Sequence, residues 1–331
     1  KQVLESLYLL MQYIAISPYR VSTHMYPQIR LEGPILRVLD LGVELAYYQK
    51  FGMIPIRRFL GEGGHEMIEL GFDVDTTLGS QIDNLPILTL MHDPIASRPR
   101  HGSAGLFHFA ILTPDRESLA ATFVSLEKQG IQFVGFADHL VSESLYLQDP
   151  EDNGIEIYCD RPRELWQFDE HGRVQMDTLA LNFQSLLSEL YRNNDDDDMI
   201  MNESPNKESM AFPRGAIIGH MHLKVTNLAV STNFYHEMLG FDLMQTMPGA
   251  SFLSIEGYHH RLALNTWLTR AGISHKDGES GLEQFTIHFT DKVSYKRILP
   301  RIPKSSLRTA INKVMVTDPD GIKMALVCDD Q

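Results

Sequence analysis

The alternation of apolar and polar positions from Ile217 to Val225 (Ile217-Ile218-Gly219-His220-Met221-His222-Leu223-Lys224-Val225) predicts a strand. Asn227-Leu228 follows, then a helix carrying Phe234, Tyr235 and Leu239 that stops at Gly240-Phe241. The same order occurs near the start of the chain. There Pro34-Ile35-Leu36-Arg37-Val38 leads to Asp40-Leu41, Tyr47-Tyr48 and Gly52-Met53, with one residue fewer before the glycine. A fainter copy runs from Gly105 through Leu106-Phe107-His108-Phe109-Ala110-Ile111 to Leu112, before a helix from Asp115 to Lys128 stopped by Gly130. Another runs from Gly281 through Gln284 to His288, before a shorter helix around Val293 to Leu299. Two or three short β-like runs follow each strand and helix. The second copy closes on Asp149-Pro150-Glu151-Asp152-Asn153-Gly154-Ile155-Glu156-Ile157-Tyr158, and the fourth on Asp318-Pro319-Asp320-Gly321-Ile322-Lys323-Met324-Ala325-Leu326. Turn residues between two apolar runs predict a hairpin in each. The chain therefore reads as four βαβββ units of an α+β fold, and a repeat of this size constrains architecture more than local propensity does.

The pattern breaks once. Asn193-Asn194-Asp195-Asp196-Asp197-Asp198 and Asn202-Glu203-Ser204-Pro205-Asn206-Lys207 have no hydrophobic period and read as an exposed linker. Just before it, Leu179, Leu181, Phe183, Leu186, Leu187 and Leu190 predict an amphipathic helix packed across a domain boundary. The expected division is an N-terminal extension (1–30), units one and two (31–162), a helix plus acidic linker (163–214), and units three and four (215–331). A length of 331 residues suits two domains.

Composition narrows the function. The 43 acidic and 29 basic residues leave a net charge of −14, which repels nucleic-acid backbones and anionic membranes. Val3 to Ile16, the longest apolar stretch near the start, is interrupted by Glu5 and Gln12 and is too short to span a bilayer. It also lacks a signal-peptide layout. Two cysteines, Cys159 and Cys328, provide neither a disulfide framework nor a cysteine metal cluster. The expected location is a reducing cytoplasm.

Four βαβββ units, strand-borne histidines and the closing Asp-Pro-Glu-Asp-Asn-Gly-Ile-Glu hairpin resemble the vicinal-oxygen-chelate superfamily, which includes glyoxalase I, bleomycin resistance proteins and extradiol dioxygenases. The likeness is greatest to the two-domain catechol 2,3-dioxygenase-like proteins. It extends from about Leu31 to Val327 apart from the linker, and is most specific in Gly105–Leu112, Asp138–Tyr158 and Gly257–Trp267. Residues before Leu31 match nothing in that pattern. The resemblance implies that units pair into cupped mixed sheets, with a metal held by first-strand and last-strand side chains of both partners.

By that rule unit two offers His108 and Glu156, and unit three offers His220. Unit one has Gly33, and unit four has Gln284 and Ala325. Pairing neighbours in sequence, the default, leaves each cup short of ligands. Pairing units two and three, with one and four as a ligand-free shell, unites His108, His220 and Glu156. That is the two-histidine, one-carboxylate facial triad of non-haem Fe(II) oxygenases. Cross-pairing requires the two histidines to lie within about 10 Å of each other, given metal–imidazole bonds of roughly 2.0–2.2 Å. An isolated strand histidine is ordinarily a hydrogen-bonded core residue. A buried carboxylate between Ile155 and Ile157, however, requires a cation or solvent.

Three protein ligands leave positions for both oxygens of a vicinal diol and for O2. The resemblance implies an extradiol ring-cleaving dioxygenase using Fe(II), with Mn(II) as the alternative and Zn or Ni as adventitious occupants. It makes a small aromatic diol and O2 the partners and leaves self-association open. It also matches His260, in His259-His260-Arg261-Leu262-Ala263, to the acid–base residue over the dioxygen site. His139 and Tyr146 match substrate-binding residues before the carboxylate hairpin, with His139 two residues out of register. Tyr146 also reads as a plain sheet aromatic. His222 and His259 are expected at the substrate pocket, whereas Phe107 and Trp267 read as packing residues. A glyoxalase-like lyase or isomerase is the competing enzyme class. It would carry a further carboxylate on the late strand of unit three, where Arg261-Leu262-Ala263-Leu264-Asn265 has none. A non-catalytic small-molecule-binding protein would have no use for His108, Glu156, His220 and His260 together.

Overall fold

A computed structural model describes residues 29–72, 86–191, 215–255, 257–269, 272–310 and 313–328. Residues 1–28 and the stretch expected to be the acidic linker lie outside the described residues.

Unit one runs β1 (Ile29–Val38), α1 (Leu41–Gln49), β2 (Met53–Leu60), β3 (Glu66–Phe72) and β4 (Leu88–His92). Unit two runs β5 (Gly105–Leu112), α2 (Arg116–Lys128), β6 (Phe133–Asp138), β7 (Ser142–Gln148) and β8 (Gly154–Asp160). A short helix, α3 (Phe183–Ser188), precedes unit three: β9 (Ile217–Lys224), α4 (Leu228–Asn233), β10 (Asp242–Met247), β11 (Ala250–Ser254) and β12 (Leu262–Asn265). Unit four is β13 (Gly281–Phe289), α5 (Lys292–Ile298), β14 (Leu307–Ala310), β15 (Lys313–Thr317) and β16 (Lys323–Cys328). The repeat extends to helix initiation. Asp40, Asp115, Asn227 and Asp291 each accept the backbone N–H three residues on, at 3.0, 2.7, 3.1 and 2.7 Å. A side-chain oxygen there satisfies a donor that the first helical turn leaves free.

Two local expectations change. Unit three's helix is α4 followed by a wider π turn over Phe234–Met238. The predicted helix over 179–190 shrinks to α3 and one tight turn, Glu189–Tyr191. Asn182 caps α3 through Ser185 N, while Leu179 lies before the cap in an extended bridge to Asp138. Phe183 then packs against Phe123 and Phe136 of unit two.

The strands form two eight-stranded sheets, ordered β14-β15-β16-β13-β1-β4-β3-β2 and β10-β11-β12-β9-β5-β8-β7-β6. Units one and four share the first, and units two and three share the second, which is the cross-paired arrangement. Alternate residues of the central strands, Phe109 and Ile111 on β5 and Phe285 and Ile287 on β13, join one apolar core spanning both sheets. His108 and Ala110, between them in period, point to the opposite face. Gly33, the unit-one counterpart of His220, has a packing reason to be glycine. A Cβ there would meet the Ile87 carbonyl oxygen at 2.3 Å.

Each closing hairpin grips a helix from the other sheet. Tyr48 of α1 donates to Asp149 at 2.8 Å, and Tyr235, just past α4, donates to Asp318 at 2.9 Å. The two latches differ at one position. Ser231 of α4 donates its hydroxyl to Asp320 at 2.8 Å, but the equivalent residue of α1 is Glu44. Both Glu44 oxygens and Glu151 Oε2 are buried without a donor. Burial, reinforced by the charges of Asp149 and Glu151, pushes the Glu44 carboxyl up to about 9. It is therefore protonated near neutrality, at the position that Ser231 holds in the other latch. An acid with a raised native pKa contributes stability that is fully present below its unfolded value, near 4.5, and lost as pH rises through about 9. Glu44→Gln, which keeps a donor and removes the ionisation, is expected to flatten the loss of stability between pH 6 and pH 9. Urea midpoints of wild type and variant check this, and parallel pH slopes would contradict it.

Candidate metal centre and active site

Strand register assembles the centre. Ala110 of β5 pairs with His220 of β9 on one side and Glu156 of β8 on the other. His108 is two residues back on the same strand face. The three chemically active side chains thus converge over a residue with only a methyl group. His108 Nε2 is 2.9 Å and His220 Nε2 3.0 Å from the same Glu156 oxygen. The two nitrogens are 3.3 Å apart, far inside the limit that cross-pairing requires. All three residues are buried.

This donor set fits a divalent cation. Edges near 3 Å match one face of an octahedron with bonds of roughly 2.1 Å, and two imidazoles with one carboxylate are borderline-to-hard ligands. Burial alone would raise the Glu156 carboxyl, but the charges and hydrogen bonds of His220 and His108 hold it well below the usual range. Burial pushes His220 down to about 4 despite the pull of Glu156, which favours the neutral imidazole that a metal requires. Among the described residues, no other group of three or more His, Cys, Asp or Glu side chains converges in this way.

Ala110 sets the clearance beneath the triad. Ala110→Val is expected to crowd His220 and Glu156 apart and weaken divalent-metal affinity by about 10-fold or more, in the range for mutations that misorient ligands. Metal titration with a chelating competitor reads the effect; unchanged affinity would contradict the packing account.

The triad abuts a cavity of about 460 Å³. His108 and Glu156 line it, while His220 is not among the lining residues. The remaining expected residues divide. His260, Tyr146, His139 and His222 line the cavity, whereas His259 does not. His259 is 0% exposed, bonded through Nε2 to Asp160 Oδ1 at 2.9 Å and through Nδ1 to His260 Nδ1 at 2.8 Å. The expectation that it faces the pocket is corrected, because the Asp160 carboxylate holds it behind His260. Phe107 and Trp267, expected to be packing residues, are wall residues of the cavity.

The hydrogen bonds specify which ring nitrogens carry protons. A carbonyl only accepts, so His139 Nδ1–H donates to Asp177 O at 2.8 Å. Its Nε2 then accepts from the Tyr146 hydroxyl at 2.7 Å. The Tyr146 phenol is raised well above its ordinary value by burial, with the Glu156 charge adding to the effect. On the other side, the Asp160 carboxylate takes His259 Nε2–H and the Tyr258 hydroxyl. His259 Nδ1 is consequently the acceptor for His260 Nδ1–H. The lone pair of neutral His260 is left on Nε2, and its ring lies 4.2 Å from that of His220. Burial and neighbouring imidazoles hold His222 and His260 well below the usual histidine range. His222 Nε2 bonds Asn265 Nδ2 at 2.9 Å.

Sequence reasoning missed Asp160, although the signal was present: Glu156, Tyr158 and Asp160 share one face of β8 by strict alternation. It also missed Met176 and Phe252 in the cavity wall. Met176 precedes α3 in a segment without period.

Over 238 residues the chain is 36% identical to a catechol-2,3-dioxygenase of Bacillus subtilis (strain 168), an alignment covering 70% of this chain and 78% of the relative. The chain belongs to the vicinal-oxygen-chelate superfamily. Within it, the chain is similar in sequence to a catechol-2,3-dioxygenase. Solved structures place the vicinal-oxygen-chelate fold across most of its length. A putative dioxygenase from Bacillus subtilis subsp. subtilis str. 168 superposes with a TM-score of 0.55 at 11% identity, covering 91% of this chain and 85% of that one. Glyoxalase I from Zea mays superposes with a TM-score of 0.51 at 18% identity, covering 91% and 92%. At these identities the structural likenesses establish the fold of this vicinal-oxygen-chelate protein and nothing finer. No family model matches the chain.

Proposed function

We propose that the protein is an extradiol ring-cleaving dioxygenase acting on a catechol-type diol, with Fe(II) held by His108, His220 and Glu156. Mn(II) is the alternative metal; Zn or Ni occupancy would be adventitious. The observation that carries this reading is the convergence of two histidines and one glutamate, from units separated in sequence, beside a largely apolar cavity. When bound, Fe(II) would provide positions for both diol oxygens and O2, and the path for electrons between them.

The protein's own part is orientation, exclusion of water and proton handling. His260 Nε2 presents a lone pair to the cavity and is assigned the diol proton. The imidazolium formed keeps its Nδ1–H on His259, which is in turn bonded to the Asp160 carboxylate; the arrangement follows the logic of a histidine oriented by a carboxylate. Asp160 and His259 act through His260 and are positioning residues. Tyr146 and His139, coupled at 2.7 Å, flank the opposite side, where they bind and orient a substrate oxygen. Phe107, Phe252 and Trp267 keep water from the ring.

The glyoxalase-like reading draws support from the fold, but β12 pairs Ala263 with His222 in the register in which β8 pairs Glu156 with Ala110, so the late strand of unit three offers no carboxylate. A non-catalytic binding protein would not need the buried triad. Fe(II) and two cysteines, Cys159 and Cys328, that form no disulfide among the described residues suit a reducing cytoplasm. Among the described residues no helix is long and apolar enough to cross a membrane. Anaerobic loading with Fe(II), then addition of catechol and air, tests the activity. A yellow ring-fission product that depends on His260 supports the proposal. No colour and no oxygen uptake would favour the lyase or binding readings.

A further inference from the structure

We infer that the substrate is a catechol carrying a bulky, uncharged, apolar substituent, and that the site rejects ring carboxylates. This rests on the dioxygenase reading for the position of the diol, but the substituent's chemistry comes from the rest of the cavity. At about 460 Å³ the space lies within the roughly 300–1,000 Å³ range of pockets that accept drug-sized ligands. That is several times what a single benzenediol fills.

The polar groups crowd one corner, around His108, Glu156, Tyr146 and His260. Away from them the walls are mostly apolar, with Gln148, Asp177 and Thr178 as polar exceptions, and come from both edges of the cupped sheet. Val134 and Phe136 of β6 form one lip, and Met247 at the end of β10, with Trp267 after β12, forms the other. Met176 reaches between the lips, where its carbonyl accepts from Gln245 Nε2 at 3.3 Å. Val134, Phe136 and Trp267 are 61%, 37% and 41% exposed. Large apolar side chains clustered in the open at a cavity mouth mark a surface that a ligand covers.

Charge completes the selection. None of the described residues lining the cavity is lysine or arginine, and Asp177 lies in the wall. A substrate carboxylate would lose hydration without gaining a lysine or arginine partner from the lining. It would also face Asp177, Glu156 and a protein of net charge −14. An alkyl or aryl group would bury its surface against Phe136, Met176 and Trp267 with no such cost.

The test separates binding from turnover. The full chain loaded with Zn(II) is titrated with biphenyl-2,3-diol, catechol and 3,4-dihydroxybenzoate by isothermal calorimetry. Biphenyl-2,3-diol is expected to bind more tightly than catechol, and about 100-fold or more tighter than 3,4-dihydroxybenzoate. Equal or preferred binding of the carboxylated diol would overturn the inference. Val134→Arg places a cation on an exposed part of the wall that folding tolerates, and is expected to narrow the discrimination by about 10-fold. Unchanged discrimination in a folded variant would overturn the wall assignment. Oxygen uptake by the Fe(II)-loaded protein is measured in parallel. The binding order without uptake counts against the dioxygenase reading alone, and uptake with a reversed order counts against the substrate class alone.

Discussion

Glu156→Ala is expected to abolish both tight divalent-metal binding and ring cleavage. The carboxylate is the one anionic member of the triad, and both imidazole Nε2 atoms aim at a single oxygen of it. Without it two buried imidazoles face each other at 3.3 Å with no negative charge to balance a cation. Loss of a ligand exceeds the 10–100-fold cost typical of a misplaced supporting partner, so a drop of more than about 100-fold in metal affinity is expected. The readout need not involve activity. A metal that binds only the native state at about 1,000 times its Kd stabilises by about 4 kcal/mol, equivalent to several degrees in Tm for a chain of this size. Wild type should show that rise with Zn(II) or Fe(II) and lose it with a chelator. The variant should show none, with circular dichroism confirming that it is folded. An undiminished metal-dependent rise in the folded variant would remove Glu156 from the centre.

The second large effect is expected at His260. His260→Ala should lower kcat by about 10²–10⁴-fold, the usual contribution of a positioned acid–base group, while leaving metal affinity close to wild type. Asp160→Ala should lower kcat by a smaller factor, about 10-fold, with KM less affected. Asp160 is part-exposed and touches neither the triad nor the cavity, and its hydrogen-bonded link to His260 runs through His259. The distinguishing measurement is the tautomer of His260, read by ¹⁵N NMR on histidine-labelled, metal-free protein. Wild type should report a lone pair on Nε2, and Asp160→Ala should report a mixture of tautomers. If the tautomer is unchanged and kcat still falls, Asp160 acts through something other than orientation of His260.

The candidate ligands were legible because each unit repeats the same strand order. His108, His220 and Glu156 occupy positions where units one and four carry Gly33, Gln284 and Ala325. A cation needs several donors, so chemistry alone pointed to the crossed partnership that the strand order now displays. The direction of His259 was not legible. It lies in the irregular stretch before β12, where alternation no longer indicates which face a side chain takes. Leu179 and Leu181 illustrate the same limit from the other side, since their spacing suits a helix but Asn182 starts the helical turn after them. Nothing in the local sequence marks Glu44 as buried. Its burial follows from the hairpin of unit two settling on α1, a contact between residues more than 100 positions apart.

Local periodicity and the fourfold repeat determined the strands, the capped helices, the hairpins and the identity of three candidate metal-binding side chains, because those properties depend on residues close together in the chain. The tertiary structure alone decided the distances among those side chains, the carboxylate behind His259 and the apolar lips of the cavity. Each depends on which distant surfaces pack together, a choice made by the shared core of two sheets and not by any one segment.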